Sequence, residues 1–141
     1  NGNLTNGLTL RRELVHEGAI MQSTTDTEVI LHLVARSRKA RFVDRFIDGL
    51  RALEGAYSFV GLTNKKLVGA RDPLGIRPLV LGTLDGCPIL TSETVALDII
   101  GAKYVRDIEN GEVIVFDDRG AHSHKPFPPT APRPCIFEYI Y

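Results

Sequence analysis

The spacing of apolar residues changes period at Gly55, and that change constrains the fold more than any other feature of the chain. Before it, Leu8, Leu10 and Leu14 among charged neighbours predict a short helix ending at Gly18. Val29, Ile30, Leu33 and Val34 line one face of a second helix reaching about Arg36, and Phe42, Phe46, Leu50 and Leu53 predict a third over 42–53. Spacings of three and four residues place such side chains on one helical face. After Gly55 the pattern becomes strand-like. Residues 56–62 and 67–70 read as a hairpin across Asn64-Lys65-Lys66, and 79–81 with 88–91 as another across Asp85-Gly86. A short helix over 94–100 stops at Gly101, and 112–116 pairs with 121–124 across Asp118-Arg119-Gly120. Helices followed by short antiparallel strands define an α+β class. There is no parallel βαβ rhythm, no G-x-G-x-x-G, no P-loop and no internal repeat.

Five prolines within 126–134 exclude helix or central strand there, so this stretch is an extended strap, and 135–141 begins a new apolar element. Lys+Arg and Asp+Glu number 17 each, and this balance argues against a nucleic-acid partner or an anionic membrane surface. No apolar run approaches the ~18 residues of a membrane span, and the N-terminus lacks a signal-peptide pattern. Two cysteines, Cys87 and Cys135, are too few for a disulfide framework and fit a reduced, cytoplasmic setting.

The chain opens on Asn1-Gly2. This pair can supply an oxyanion hole with a side-chain and a backbone N–H. Taken alone it is more strongly a hairpin-turn signal, repeated at Asn6-Gly7 and Asn110-Gly111. Ser23-Thr24-Thr25-Asp26-Thr27-Glu28 reads as a helix start, with Thr25 and Glu28 as a capping box and Asp26 in the first turn. Arg71-Asp72-Pro73-Leu74-Gly75-Ile76-Arg77-Pro78 punctuates a tight connection between strands. Its charges either tie that loop or present a fork to an anion, the structural use being favoured. Ser92 or Thr94 caps the helix at 94–100. His122 and His124 share a strand face without a third metal ligand nearby. Neither cysteine has a local activator, and no G-x-S-x-G context supports a serine nucleophile.

Taken together, these stretches resemble the class II glutamine amidotransferases. The run 1–6, Ser23 to Glu28, Gly55-Ala56-Tyr57-Ser58 and Arg71 to Leu79 carry that likeness. Ser92 to Asp98, Val105-Arg106-Asp107, Gly111-Glu112 and Cys135-Ile136-Phe137-Glu138-Tyr139 extend it across the whole chain, and the Ser92–Asp98 run with the Glu138-Tyr139 ending narrows it to the amidophosphoribosyltransferase family of purine biosynthesis. The resemblance implies a partial four-layer αββα sandwich of the N-terminal-nucleophile hydrolase type, with antiparallel sheets. Residues 1–134 would form the central and C-terminal part of the glutaminase domain, and 135–141 would begin the connection to a phosphoribosyltransferase domain. Glutamine would be the ammonia donor and phosphoribosyl pyrophosphate, with Mg²⁺ in that other domain, the acceptor. The parent would be a cytoplasmic homo-oligomer.

By the same resemblance, Asn1 and Gly2 match the oxyanion-hole pair and Asp26 the carboxylate that holds the glutamine α-ammonium. Cys135 matches a position that ligates a [4Fe-4S] cluster in some members. The family's nucleophile is an N-terminal cysteine, and nothing at the start of this chain corresponds to it. An internal segment without glutaminase activity of its own is therefore the expectation. The rivals are another class II amidotransferase and a degenerate domain that binds glutamine without turnover.

Overall fold

The computed structural model describes residues 2–140, and of Glu138 and Tyr139 the backbone alone. The chain divides between Ala56 and Tyr57 into two compact units.

The first unit holds β1 (Gly2–Leu4), α1 (Gly7–His16), α2 (Glu28–Arg36), α3 (Phe42–Arg51) and the opening of β2 (Gly55–Leu62). Val29 and Ile30 of α2 are buried together with Phe46 and Leu50 of α3, as the helical spacing requires. Gly49 allows the two helices to approach closely, since a β-carbon there would lie 2.9 Å from Ile30 Cδ1. Leu4 and Leu14 complete the buried set on the N-terminal side. The third helix ends at Arg51, two residues short of the expected boundary, and Leu53 is buried in the connection that follows.

The second unit continues β2 and adds β3 (Leu67–Arg71), β4 (Val80–Leu84), β5 (Cys87–Thr91), α4 (Thr94–Ile100), β6 (Lys103–Asp107), β7 (Val113–Asp117) and β8 (Gly120–His124). Its strands form two antiparallel groups, β2-β3-β7-β8 and β5-β4-β6, so the α+β expectation holds. Phe59 stands opposite Ala70 and Val68 opposite Val115. Leu79, Ile108 and Ile114 form a buried cluster flanked by Leu81, Leu90 and Phe116. Behind β7, the fully buried Glu112 carboxylate accepts both Arg106 terminal nitrogens (2.8 and 2.7 Å), the Glu109 N–H and the Ser123 hydroxyl. Burial alone would raise its pKa, yet these four donors together hold it below the ordinary carboxylate value.

Two local expectations are corrected. Glu93, not Ser92 or Thr94, occupies the N-cap of α4, in extended conformation and with no side-chain cap bond. Asn6-Gly7 opens α1 rather than turning a hairpin. Strands β1 and β6 had no counterpart in the sequence pattern. The 135–141 stretch contributes a short 3-10 helix, Ile136–Tyr139. Before it, the proline strap lies along the 71–78 loop, through Arg133 N–H to Leu74 O at 2.8 Å and the Thr130 hydroxyl to Pro73 O at 2.6 Å.

Candidate functional site

Strand β1 is fixed on one edge and open on the other. Thr5 N–H donates to Glu54 O at 2.9 Å, and Gly55 is pressed so closely against this segment that a β-carbon would sit 2.4 Å from Asn3 O. Gly55 has φ of +115°, so steric contact and backbone conformation both demand glycine there. Successive N–H groups of an extended chain point to opposite edges. Leu4 N–H accordingly faces away from Glu54 and donates to Asp26 Oδ2 at 2.8 Å. Gly2, two residues earlier, directs its N–H to the same edge as Leu4, about 6.6 Å further along the strand. The structure thus brings Gly2 and Asp26 to one edge. Asn1 lies outside the described residues.

Asp26 is held in place by its neighbours. It sits two residues before α2, not in its first turn, because the helix begins at Glu28 with Thr27 at the N-cap and no side-chain cap bond. The expected Thr25–Glu28 capping box does not form. Glu28 reaches further back, accepting Gln22 N–H (2.7 Å), Ser23 N–H (2.9 Å) and the Ser23 hydroxyl (2.7 Å). Those bonds, the Gln22 N–H foremost, lower its pKa to about 2. Arg11 closes the loop by donating to Ser23 O at 2.5 Å. Gly7 packs on the other side, where a β-carbon would meet Asp26 Cβ at 3.0 Å. Asp26 is half-buried, and a carboxylate offers about four acceptor positions, so the Leu4 bond leaves it capacity for a cationic ligand.

Asn6 contributes in a way its position disguises. It occupies the N-cap of α1, where asparagine normally caps for about 1 kcal/mol, yet it makes no cap bond. Its amide instead donates Nδ2–H to Ala52 O at 2.8 Å and accepts Glu54 N–H at 2.9 Å.

The remaining candidates serve the framework. Asp72 is fully buried, and its carboxylate accepts the N–H groups of Leu74, Ile76 and Arg77 at 3.0–3.1 Å, with Tyr57 N–H at 3.4 Å. Arg71 donates to the carbonyls of Arg77, Ile108 and Gly75. These contacts tie the loop, which was the favoured expectation over an anion fork. Cys87 is exposed at the start of β5, and Cys135 is partly buried after the strap. Among the described residues no group of three or more His, Cys, Asp and Glu side chains could hold a metal ion. His122 Nε2 lies 3.3 Å from Asp117 Oδ1, whose carboxylate also pairs with Lys66. No described helix is long and apolar enough to cross a membrane.

An open strand edge that carries a backbone donor beside a carboxylate, on helices with antiparallel sheets, fits an amidotransferase of the N-terminal-nucleophile hydrolase fold. Residues 1–98 match the family model described as glutamine amidotransferase domain, and the chain belongs to that family. Over its full length it is 59% identical to the amidophosphoribosyltransferase of Rhizobium etli and 49% identical to amidophosphoribosyltransferase 1, chloroplastic, of Arabidopsis thaliana. It spans 29% and 25% of those proteins. The whole chain also matches the structure of glutamine phosphoribosylpyrophosphate amidotransferase from B. subtilis, with a TM-score of 0.96 and 38% identity over 31% of that chain.

Proposed function

We propose that residues 1–141 are the glutaminase portion of an amidophosphoribosyltransferase, releasing ammonia from glutamine for transfer to phosphoribosyl pyrophosphate. The observation that carries this reading is the strand edge on which Leu4 N–H meets Asp26 and to which Gly2 N–H, two residues earlier, is turned. Asp26 receives the α-ammonium. A cysteine thiolate supplied from outside 1–141 attacks the side-chain amide carbon, and the oxygen that becomes negative lies at Gly2 N–H, with the Asn1 amide as second donor. One such donor contributes ~3 kcal/mol to the transition state in comparable hydrolases. The amide nitrogen takes up the proton given up by the thiol and departs as ammonia, leaving a glutamyl thioester that water hydrolyses to glutamate.

In the same proposal, 1–134 belongs to the glutaminase domain and 135–141 leads to a phosphoribosyltransferase domain that carries Mg²⁺. The parent is a cytoplasmic homo-oligomer. Cys135 would supply one thiolate to a [4Fe-4S] cluster, which takes four, and the other ligands would lie outside the described residues.

The test uses the full-length chain. Asp26→Asn keeps an oxygen for Leu4 N–H but removes the charge that meets the ammonium. KM for glutamine should rise about 100-fold, the scale of a lost charge-assisted bond, while use of free ammonia as nitrogen donor stays unchanged. Unaltered glutamine kinetics in this variant would refute the assignment. Iron and labile sulfide in the same preparations, and their loss in Cys135→Ser, check the cluster.

A further inference from the structure

We propose that Asn6 is a positioning residue for the oxyanion donor, a role that rests on the glutaminase reading above. Asn6 stands where its side chain would ordinarily cap α1, and its amide is turned away to Ala52 O and Glu54 N–H, 46 and 48 residues distant in sequence. A planar primary amide presents one donor and one acceptor side by side, which matches a carbonyl and an N–H two residues apart on the other segment. Aspartate lacks the donor, and alanine lacks both.

Among the described residues, three ties set the β1 segment against residues 52–55, and the clasp is one of them. Thr5 N–H to Glu54 O is the second, and the close approach of Gly55 to Asn3 O, Thr5 N and Leu4 Cα is the third. Thr5 and Gly55 act through the backbone alone. Asn6 is the one side chain among the three, and it anchors the end of a strand only three residues long. On the opposite edge of that strand Leu4 N–H meets Asp26, and the alternation of an extended chain turns Gly2 N–H to that same edge. Displacing β1 therefore moves the donor at Gly2 relative to the reacting carbonyl. Asp26 shares the Leu4 N–H with β1 but is also held by the Glu28-organised loop and by Gly7, so the ammonium site shifts less than the donor at Gly2. Oxyanion hydrogen bonds are sensitive to such shifts because their benefit depends on pre-set geometry.

The experiment compares the wild-type full-length chain with Asn6→Ala and Asn6→Asp. Four quantities are read: kcat and KM for glutamine, inhibition by glutamate γ-semialdehyde, inhibition by glutamate, and activity with free ammonia. The aldehyde forms a tetrahedral thiohemiacetal with the nucleophile and so reports the oxyanion donors, whereas glutamate reports ground-state binding. Asn6→Ala should lower kcat about 10- to 100-fold and weaken the aldehyde by the same factor. KM, glutamate inhibition and ammonia-dependent activity should stay within about twofold. Equal weakening of aldehyde and glutamate, or wild-type kcat, overturns the proposal. If the alanine variant does not fold, Asn6→Asp retains the acceptor for Glu54 N–H and loses the donor to Ala52 O. The same split is then expected, and wild-type aldehyde affinity in that variant overturns the role. Absence of ammonia release by the wild-type chain removes the glutaminase reading itself, an outcome distinct from a wild-type enzyme indifferent to Asn6.

Discussion

Glu28 illustrates how a single carboxylate positions another without touching it. Its acceptors hold Gln22 and Ser23, and that bend in the chain carries Asp26 to the edge of β1. The groups facing it are Arg11 Nη1 and His32 Nε2, both at 3.8 Å. With its pKa lowered from 4.5 to about 2, Glu28 contributes stability that is fully present above pH 4.5 and lost as the pH falls toward 2. The melting temperature of the full-length chain should therefore exceed that of Glu28→Gln by a constant margin from pH 5 to 7. That margin should shrink through the window between 4.5 and 2. A margin that does not change with pH would show that the carboxylate charge contributes nothing. The sequence pattern placed Glu28 in a capping box because a Thr-x-x-Glu spacing fits one. It could not show that Ser23 supplies closer donors once the chain bends ahead of the helix.

Among the elements, the α2–α3 pair offers the sharpest test of packing. Gly49→Ala gains about 1 kcal/mol of helix propensity but sets a methyl 2.9 Å from Ile30 Cδ1 and 3.4 Å from Leu33 Cβ and Val34 Cγ2. Ile30 Cδ1 is the end of a flexible side chain and can shift by a few tenths of an ångström. The two effects should nearly cancel, leaving stability within about 1 kcal/mol of wild type. Gly49→Leu has no such escape and should cost about 3 kcal/mol or more in denaturant unfolding. Similar stabilities for the two variants would mean the helices can separate freely. This pairing was legible in the sequence because Val29, Ile30, Phe46 and Leu50 keep helical period and are buried as expected. The hairpins β2–β3, β4–β5 and β7–β8 were legible from short strand-like runs broken by turn residues. Strand β6 was not. Lys103, Tyr104, Val105 and Asp107 are all exposed, so no alternation marks it, and its partner across a register shift at Leu81/Gly82 fixes it instead. Strand β1 spans three residues, too few for any period to register. Of the candidate site, the identities of Gly2 and Asp26 could be read from motifs. The edge that joins them depends on Leu4 N–H and on ties to Ala52 and Glu54 that no local pattern contains.

At the scale of the whole chain, surface and charge together predict behaviour in solution. The first unit leaves Leu8, Ile20 and Leu31 exposed, and the second leaves Val60 and Leu62 on one face of β2 and Val95 and Ile99 one helical turn apart on α4. Leu62 and Ile20 are each 81% exposed. Lys+Arg and Asp+Glu cancel at 17 each, so no net charge keeps copies apart near neutral pH. Isolated 1–141 should self-associate at micromolar concentration in sedimentation velocity, most strongly near pH 7 and less at pH 9, where net charge grows. It should also enhance anilinonaphthalene sulfonate fluorescence more, per mole, than the full-length chain, in which we expect further sequence to cover these side chains. Leu62→Lys combined with Ile99→Lys should lower both signals, because one change interrupts the β2 face and the other the α4 face. A monodisperse monomer at about 100 µM, a range where exposed apolar surface ordinarily drives association, with dye fluorescence no greater than that of the full-length chain, would mean these side chains need no cover at all.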